Sequence, residues 1–205
     1  MRREELLGPG VLVAIGTALS VCAYWLADRF FGLPVVRRRA LELVREVVPS
    51  DTGDGRFDVV VKDYGGRGTT CGYLVHWLLW RLGKRQAVNR GEPAAGLRYV
   101  PGANISMVDQ NPAFHRYHEG SPERPKPGDI YFQSDGPPDT EHVGVVMAWP
   151  DDEHVLTADA GQRNAAGSQA ARFVRRQFRE GRLPRLDHIG EPRRLVGWID
   201  IEKAT

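Results

Sequence analysis

The sequence predicts an α+β domain in which a cysteine-bearing helix packs on an antiparallel sheet, with an extra hydrophobic helix at the N-terminus. Three observations carry this expectation. The run TTCGYLVHWLLWRLG spaces Leu74, Val75, Leu78, Leu79 and Leu82 as one buried stripe of a helix. The runs DIYFQ, HVGVVMAW and HVLTADAGQ follow one another, separated by the turn-rich stretches SDGPPDTE and DDE, the pattern of an antiparallel meander. Residues 9–27, PGVLVAIGTALSVCAYWLA, carry no charge and match the roughly 20 residues needed to cross a bilayer.

With 205 residues, 41% of them hydrophobic, the chain has material for one core and a small appendage. It divides into residues 1–33, the hydrophobic N-terminal helix, and residues 34–205, the soluble domain. The 28 basic and 26 acidic residues leave a net charge of +2, which provides no bulk attraction to nucleic acid, and no nucleic-acid partner is expected. Of the two cysteines, Cys22 lies in the apolar run and Cys71 in a chemically richer setting, so a disulfide between them is not expected.

Taken in order, residues 9–27 read as a membrane segment or signal anchor, with Tyr24 and Trp25 suited to an interface and Arg2 and Arg3 resembling the basic start of a secretory signal. A cleaved signal and a buried or partner-bound helix are the competing readings. After Pro34, VVRRRALELVREVV places Val36, Ala40, Leu43, Val44 and Val47 on one helical face and its arginines on the other. RFDVVVKD reads as a short extended run leading to a glycine-rich turn, after which Thr69 or Thr70 caps the cysteine helix and Gly83 stops it. Residues 84–125 are loop-like. Beyond the meander, AARFVRRQFREGRL reads as a helix and RLVGWIDI as a final strand.

Cys71 is the residue with the most chemistry in it. At a helix start it meets free backbone N–H groups and the positive end of the helix dipole, both of which favour the thiolate. A cysteine in an apolar helix is also an ordinary core residue, and its position at the first turn argues against that plainer role. His142 heads an otherwise apolar strand, where its ring faces the helix start, and would act as the base. An imidazole base needs a third group to fix its tautomer. Asp159 is the choice, because alternation along VLTADAG places it with Val155 and Thr157 on one face of the next strand. A turn-forming aspartate before Gly161 is the alternative, and Gln162 is the reserve orienting amide. Tyr64, in the loop before the cysteine, is a candidate for lining the cleft and binding substrate.

The remaining histidines, His76, His115, His118, His154 and His188, show no metal-ligand spacing, and neither a metal nor a cofactor is expected. Trp77 and Trp80 read as packing groups. Arg172, Arg175, Arg176, Arg179 and Arg182 form a basic cluster read as a solvated helical face, with contact to anionic wall polymers, lipid headgroups or a partner as the alternative.

TTCGYLVHWLLWRLG, PKPGDIYF, EHVGVVMAW and TADAGQ, in that order, resemble the NlpC-type and CHAP-type cysteine peptidases and amidases of the papain-like superfamily, over about residues 37–201. The resemblance implies a papain-like fold with Cys71 as nucleophile, His142 as general base and Asp159 as third member. It also implies a substrate class, the peptide or amide bonds of bacterial cell-wall peptides. The chain departs from the common pattern at TTCG, where an acidic or asparagine residue followed by Cys-Ser-Gly is frequent, and at Asp159, where His, Asn or Glu is often found. Cysteine precedes histidine, which favours the unpermuted hydrolases over the permuted lipid acyltransferases.

The expected partners are a peptidoglycan peptide as substrate, a membrane through residues 1–33, and an immunity or inhibitor protein if the enzyme is an antibacterial effector. The expected location is the cell envelope, membrane-anchored or secreted to the periplasm. Arg29, Arg37, Arg38, Arg39 and Arg45 after the apolar run outnumber Arg2 and Arg3 before it, a balance that would hold the domain in the cytoplasm, opposite to a wall substrate. Two further readings therefore stand beside the wall hydrolase. One is a papain-like protease, deamidase or acyltransferase acting on proteins, and the other a membrane-tethered binding module without activity.

Overall fold

Alternation of apolar residues along the strands builds a sheet with two different faces, one of them covered by helices. The computed structural model describes residues 32–49, 55–63, 71–84, 111–134, 142–163, 169–179, 181–183 and 193–205. The apolar run at residues 9–27, the loop with Tyr64, and the threonines before Cys71 lie outside them. Among the described residues no helix is long and apolar enough to cross a membrane.

Three helices precede the sheet. The first, α1 (Val35–Val47), buries Ala40, Leu43, Val44 and Val47 of the expected stripe, with Val36 only partly buried and Leu41 added to it. One of its arginines departs from expectation. Arg37 is 1% exposed, and its guanidinium reaches Asp129 at 2.6 Å, Asp200 at 2.7 Å and Glu202 at 2.6 Å, with the Pro127 carbonyl at 2.9 Å. Those acceptors lie 90 or more residues away in sequence. A buried guanidinium is tolerable where such acceptors meet it.

The second, α2 (Phe57–Asp63), corrects the extended run expected for RFDVVVKD. Three successive valines favour a strand by local preference. Phe57 and Val60, three apart, instead both bury in the core shared with α1, and that packing overrides the preference. The third, α3 (Cys71–Arg81), begins at the cysteine and buries Tyr73, Leu74, Val75, Trp77, Leu78 and Leu79, with Leu82 packed against the same core. Trp77 is the packing group expected. Gly83 ends the helix with φ 74°, its N–H donating to the Trp80 carbonyl at 2.9 Å while that of Lys84 donates to Leu79 at 2.8 Å. A side chain at Gly83 would strain this left-handed turn.

The sheet comprises β1 (Phe114–Arg116), β2 (Ile130–Ser134), β3 (His142–Ala148), β4 (His154–Arg163), β5 (Gln169–Gln177), β6 (Arg182–Leu183) and β7 (Arg193–Ile199). It is antiparallel, in the order β1-β7-β2-β3-β4-β5, with β6 pairing β7. The meander β2-β3-β4 and the final strand agree with the sequence expectations. The loop-like stretch before residue 126 contains the short strand β1.

The helix expected for AARFVRRQFREGRL is instead β5, paired with β4 from His154↔Gln177 to Arg163↔Gln169. Its basic cluster is accordingly not one helical face. Arg175 is exposed beside Asp151 at 3.2 Å, whereas Arg176 is 3% exposed. Ile130, Phe132, Val143, Val145, Ala158 and Ala160 form the main core with the helices, and Tyr131, Val146, Val155, Leu195 and Trp198 form a smaller cluster on the other face.

Candidate functional site

Chain order within the meander sets which side chains can meet at the mouth of α3. His142 opens β3, the central strand of the meander, and α3 packs against β3 and β4. The sulfur of Cys71, a free thiol at the first residue of α3, is hydrogen-bonded to the imidazole of His142 and to the backbone N–H groups of Val143 and Gly72. Asp159 lies on β4, where Val145 faces Ala158 and Val146 faces Thr157, so its carboxylate stands beside β3. His142 Nε2 meets Asp159 Oδ1 at 2.7 Å. An ionised carboxylate only accepts, so this contact fixes the proton on Nε2 and leaves Nδ1 to the sulfur.

The electrostatics follow from burial and from these contacts. Burial is the largest influence on the Cys71 thiol and pushes its pKa up. The hydrogen bond and charge of His142, with the N–H groups of Val143 and Gly72, outweigh it and leave the thiol below its ordinary value. His142 is buried too, which alone would lower its pKa, yet Asp159 and Cys71 together raise it. Both shifts run in the direction that eases transfer of the thiol proton to the imidazole. Asp159 is fully buried, and burial would raise it. The charge of Arg176, then His142 and Thr157, hold it far below the usual carboxylate range.

Asp159 is therefore no turn residue but the centre of a buried polar network. Oδ1 also accepts from the Tyr131 hydroxyl, whose own pKa is raised well above normal, chiefly by burial, so it stays a donor. Oδ2 accepts from Thr157 Oγ1 at 2.6 Å and forms an ion pair with Arg176 Nη2 at 3.1 Å. Arg176 Nε donates to Thr157 Oγ1 at 3.3 Å.

Gly144 makes the crossing of this carboxylate over β3 feasible. A Cβ built there would stand 2.5 Å from Asp159 Oδ1, 2.8 Å from the Tyr131 ring and 2.9 Å from the Ala158 carbonyl. Gln133, paired across the sheet with His142, is 1% exposed, and its side-chain oxygen has no hydrogen-bond partner among the described residues.

Of the sequence-predicted residues, Cys71, His142 and Asp159 come together in one hydrogen-bonded row. Gln162 lies on β4 opposite Ala170, with its side chain outside the described residues, as is Tyr64 entirely. His115 stacks on Trp198 and His154 bonds Asp151 at 2.8 Å, and among the described residues no three His, Cys, Asp or Glu side chains gather as a cation site.

Sequence reasoning missed Tyr131 and Arg176 as members of the network and used Thr157 only to set the face of Asp159. Alternation in DIYFQ does put Tyr131 opposite its apolar neighbours Ile130 and Phe132, which is the one local signal for it. Arg176 carried none, being one of five arginines in a basic stretch. Comparison of the chain with models of protein families, with curated proteins and with solved structures finds no match.

Proposed function

We propose that the domain is a papain-like cysteine hydrolase of the NlpC/CHAP kind, cleaving an amide or peptide bond of bacterial cell-wall peptides through Cys71, His142 and Asp159. The observation that carries this reading is a buried imidazole hydrogen-bonded on one side to a carboxylate and on the other to a thiol at the head of an apolar helix. A merely structural cysteine has no use for a base whose tautomer is fixed by a fully buried aspartate.

In the proposed reaction His142 Nδ1 accepts the Cys71 proton and the thiolate attacks the scissile carbonyl carbon. The negative oxygen that forms is held by the Cys71 backbone N–H, which at the first turn of α3 makes no bond within the helix. The imidazolium returns its proton to the leaving amine as the C–N bond breaks, leaving a thioester on Cys71. Water then gives a proton to the neutral imidazole, adds to the thioester and releases the carboxylic acid and the thiol. The N-terminal apolar run would tether the domain in the cell envelope, and an immunity protein is the expected partner if the enzyme is an antibacterial effector.

Purified wall fragments incubated with the full chain and resolved by mass spectrometry test the reading. New amino and carboxyl termini within the peptide stems are expected, absent with Cys71→Ala. Cleavage retained by Cys71→Ala would overturn it. The arginine excess after residues 9–27, which favours a cytoplasmic domain, supports the second reading of a papain-like enzyme acting on proteins. In that case wall fragments stay intact and a thiol probe still labels Cys71.

A further inference from the structure

We propose that Arg176 is a positioning residue of this site: by neutralising Asp159 it leaves the positive charge of the His142 imidazolium to the Cys71 thiolate. The inference rests on the reading of Cys71 and His142 as nucleophile and base, and it adds a fourth charged member from a strand outside the meander.

The geometry is a row of four ionisable groups on four elements. Arg176 of β5 pairs with Asp159 of β4 at 3.1 Å, Asp159 with His142 of β3 at 2.7 Å, and His142 is hydrogen-bonded to Cys71 of α3. Among the described residues, two neutral side chains also bond Asp159. Tyr131, from β2, donates to Asp159 and stays uncharged, and Thr157 bridges Arg176 and Asp159 with a neutral hydroxyl. Of the other two arginines on β5, Arg172 stands opposite Asp159 in the strand register and is half-buried, while Arg175 is exposed beside Asp151.

Charge balance in a dry site decides what Arg176 does. Asp159, His142 and Arg176 are each less than 5% exposed, so an uncompensated charge there is costly. With Arg176 present, the row holds two neutral pairs once the Cys71 proton has passed to His142, guanidinium with carboxylate and imidazolium with thiolate. Without it, the carboxylate and the imidazolium already neutralise each other, and ionising Cys71 would add a surplus anion. The thiol would then keep its proton at a pH where it now loses it. A guanidinium that only filled space beside β4 would leave the sulfur indifferent to its removal.

The test is the ultraviolet thiolate absorbance of the full chain against pH, in a Cys22→Ser background so that Cys71 is the one thiol. The Cys71 step is expected below the ordinary thiol range, and Arg176→Met is expected to move it upward by about one pH unit, the order of shift that a change of nearby buried charge produces. Arg176→Lys, which keeps the charge and is gentler on the fold, is expected to stay close to the parent. The double variant Asp159→Asn/Arg176→Met, which removes both charges together, is expected to return toward the parent.

A folded Arg176→Met that titrates with the parent would overturn the inference. So would a double variant displaced further than the single one, or an Arg176→Lys step displaced by a full unit. His142→Ala in the same background separates the two readings. If it leaves the low step in place, the nucleophile pair falls and this inference with it. If it abolishes the step while Arg176→Met does not move it, only the role of Arg176 falls.

Discussion

Arg37 and Arg176 are the two arginines buried among the described residues, and the company each keeps is different. Arg37 has three carboxylates around one guanidinium, two of them reaching toward solvent at 13% and 35% exposure. It ties α1 to the turn before β2 and to the segment after β7, where Lys203 also meets Asp200 at 3.7 Å. Among the described residues Arg176 pairs with one carboxylate, fully buried and shared with His142, Tyr131 and Thr157. A cation in excess acceptors makes a clamp. A cation matched to a single buried anion, which also holds an imidazole, fixes the charge state of whatever lies beyond that imidazole.

Substitutions that affect one cluster and not the other would sharpen or break this contrast. The largest effect is expected at Asp159, where Asp159→Asn should lower turnover of wall fragments by about a thousandfold, since the imidazole loses the group that fixes its tautomer. Next comes Arg37→Met, which leaves Asp129 buried without its cation and should cost about 3 kcal/mol in urea unfolding, while the Cys71 titration stays where it was. A displaced thiol step in that variant would mean that the two clusters are coupled.

Gly144→Ala is expected to cost about 2 kcal/mol, because the new methyl meets Asp159, Tyr131 and a backbone carbonyl inside contact distance, and to slow turnover along with it. The smallest is Tyr131→Phe, which removes one of the donors to Asp159 and should cost about 1 kcal/mol, with Asp159 still held by Arg176, His142 and Thr157.

The same two arginines mark where the sequence could be read and where it could not. The meander β2-β3-β4 and the α3 stripe were legible, because each rests on local spacing of apolar residues. Cys71, His142 and Asp159 were legible for the same reason, since a helix start, a strand start and the parity of β4 are local properties. Arg37 and Arg176 were both assigned to solvent, as lone arginines in basic stretches must be when their partners are unknown. Asp129 lies 92 residues from Arg37, and no local pattern encodes that meeting.

The error at Arg176 also hid β5. On one face the strand alternates Arg172, Val174 and Arg176, and only the buried ion pair makes this a strand facing a core instead of a charged helix. In α2, conversely, the local signal was present and lost, since three valines in a row yield to the shared core contacts of Phe57 and Val60.

Whether the sulfur is ionised by its neighbour can be read from alkylation. Iodoacetamide added at mildly acidic pH to the full chain carrying Cys22→Ser should modify Cys71 readily, and the same chain with His142→Ala should react slower by about tenfold or more, because only the thiolate attacks. Equal rates in the two proteins, or a Cys71 that no reagent reaches in either, would contradict the thiolate–imidazolium pair from which the proposed chemistry starts.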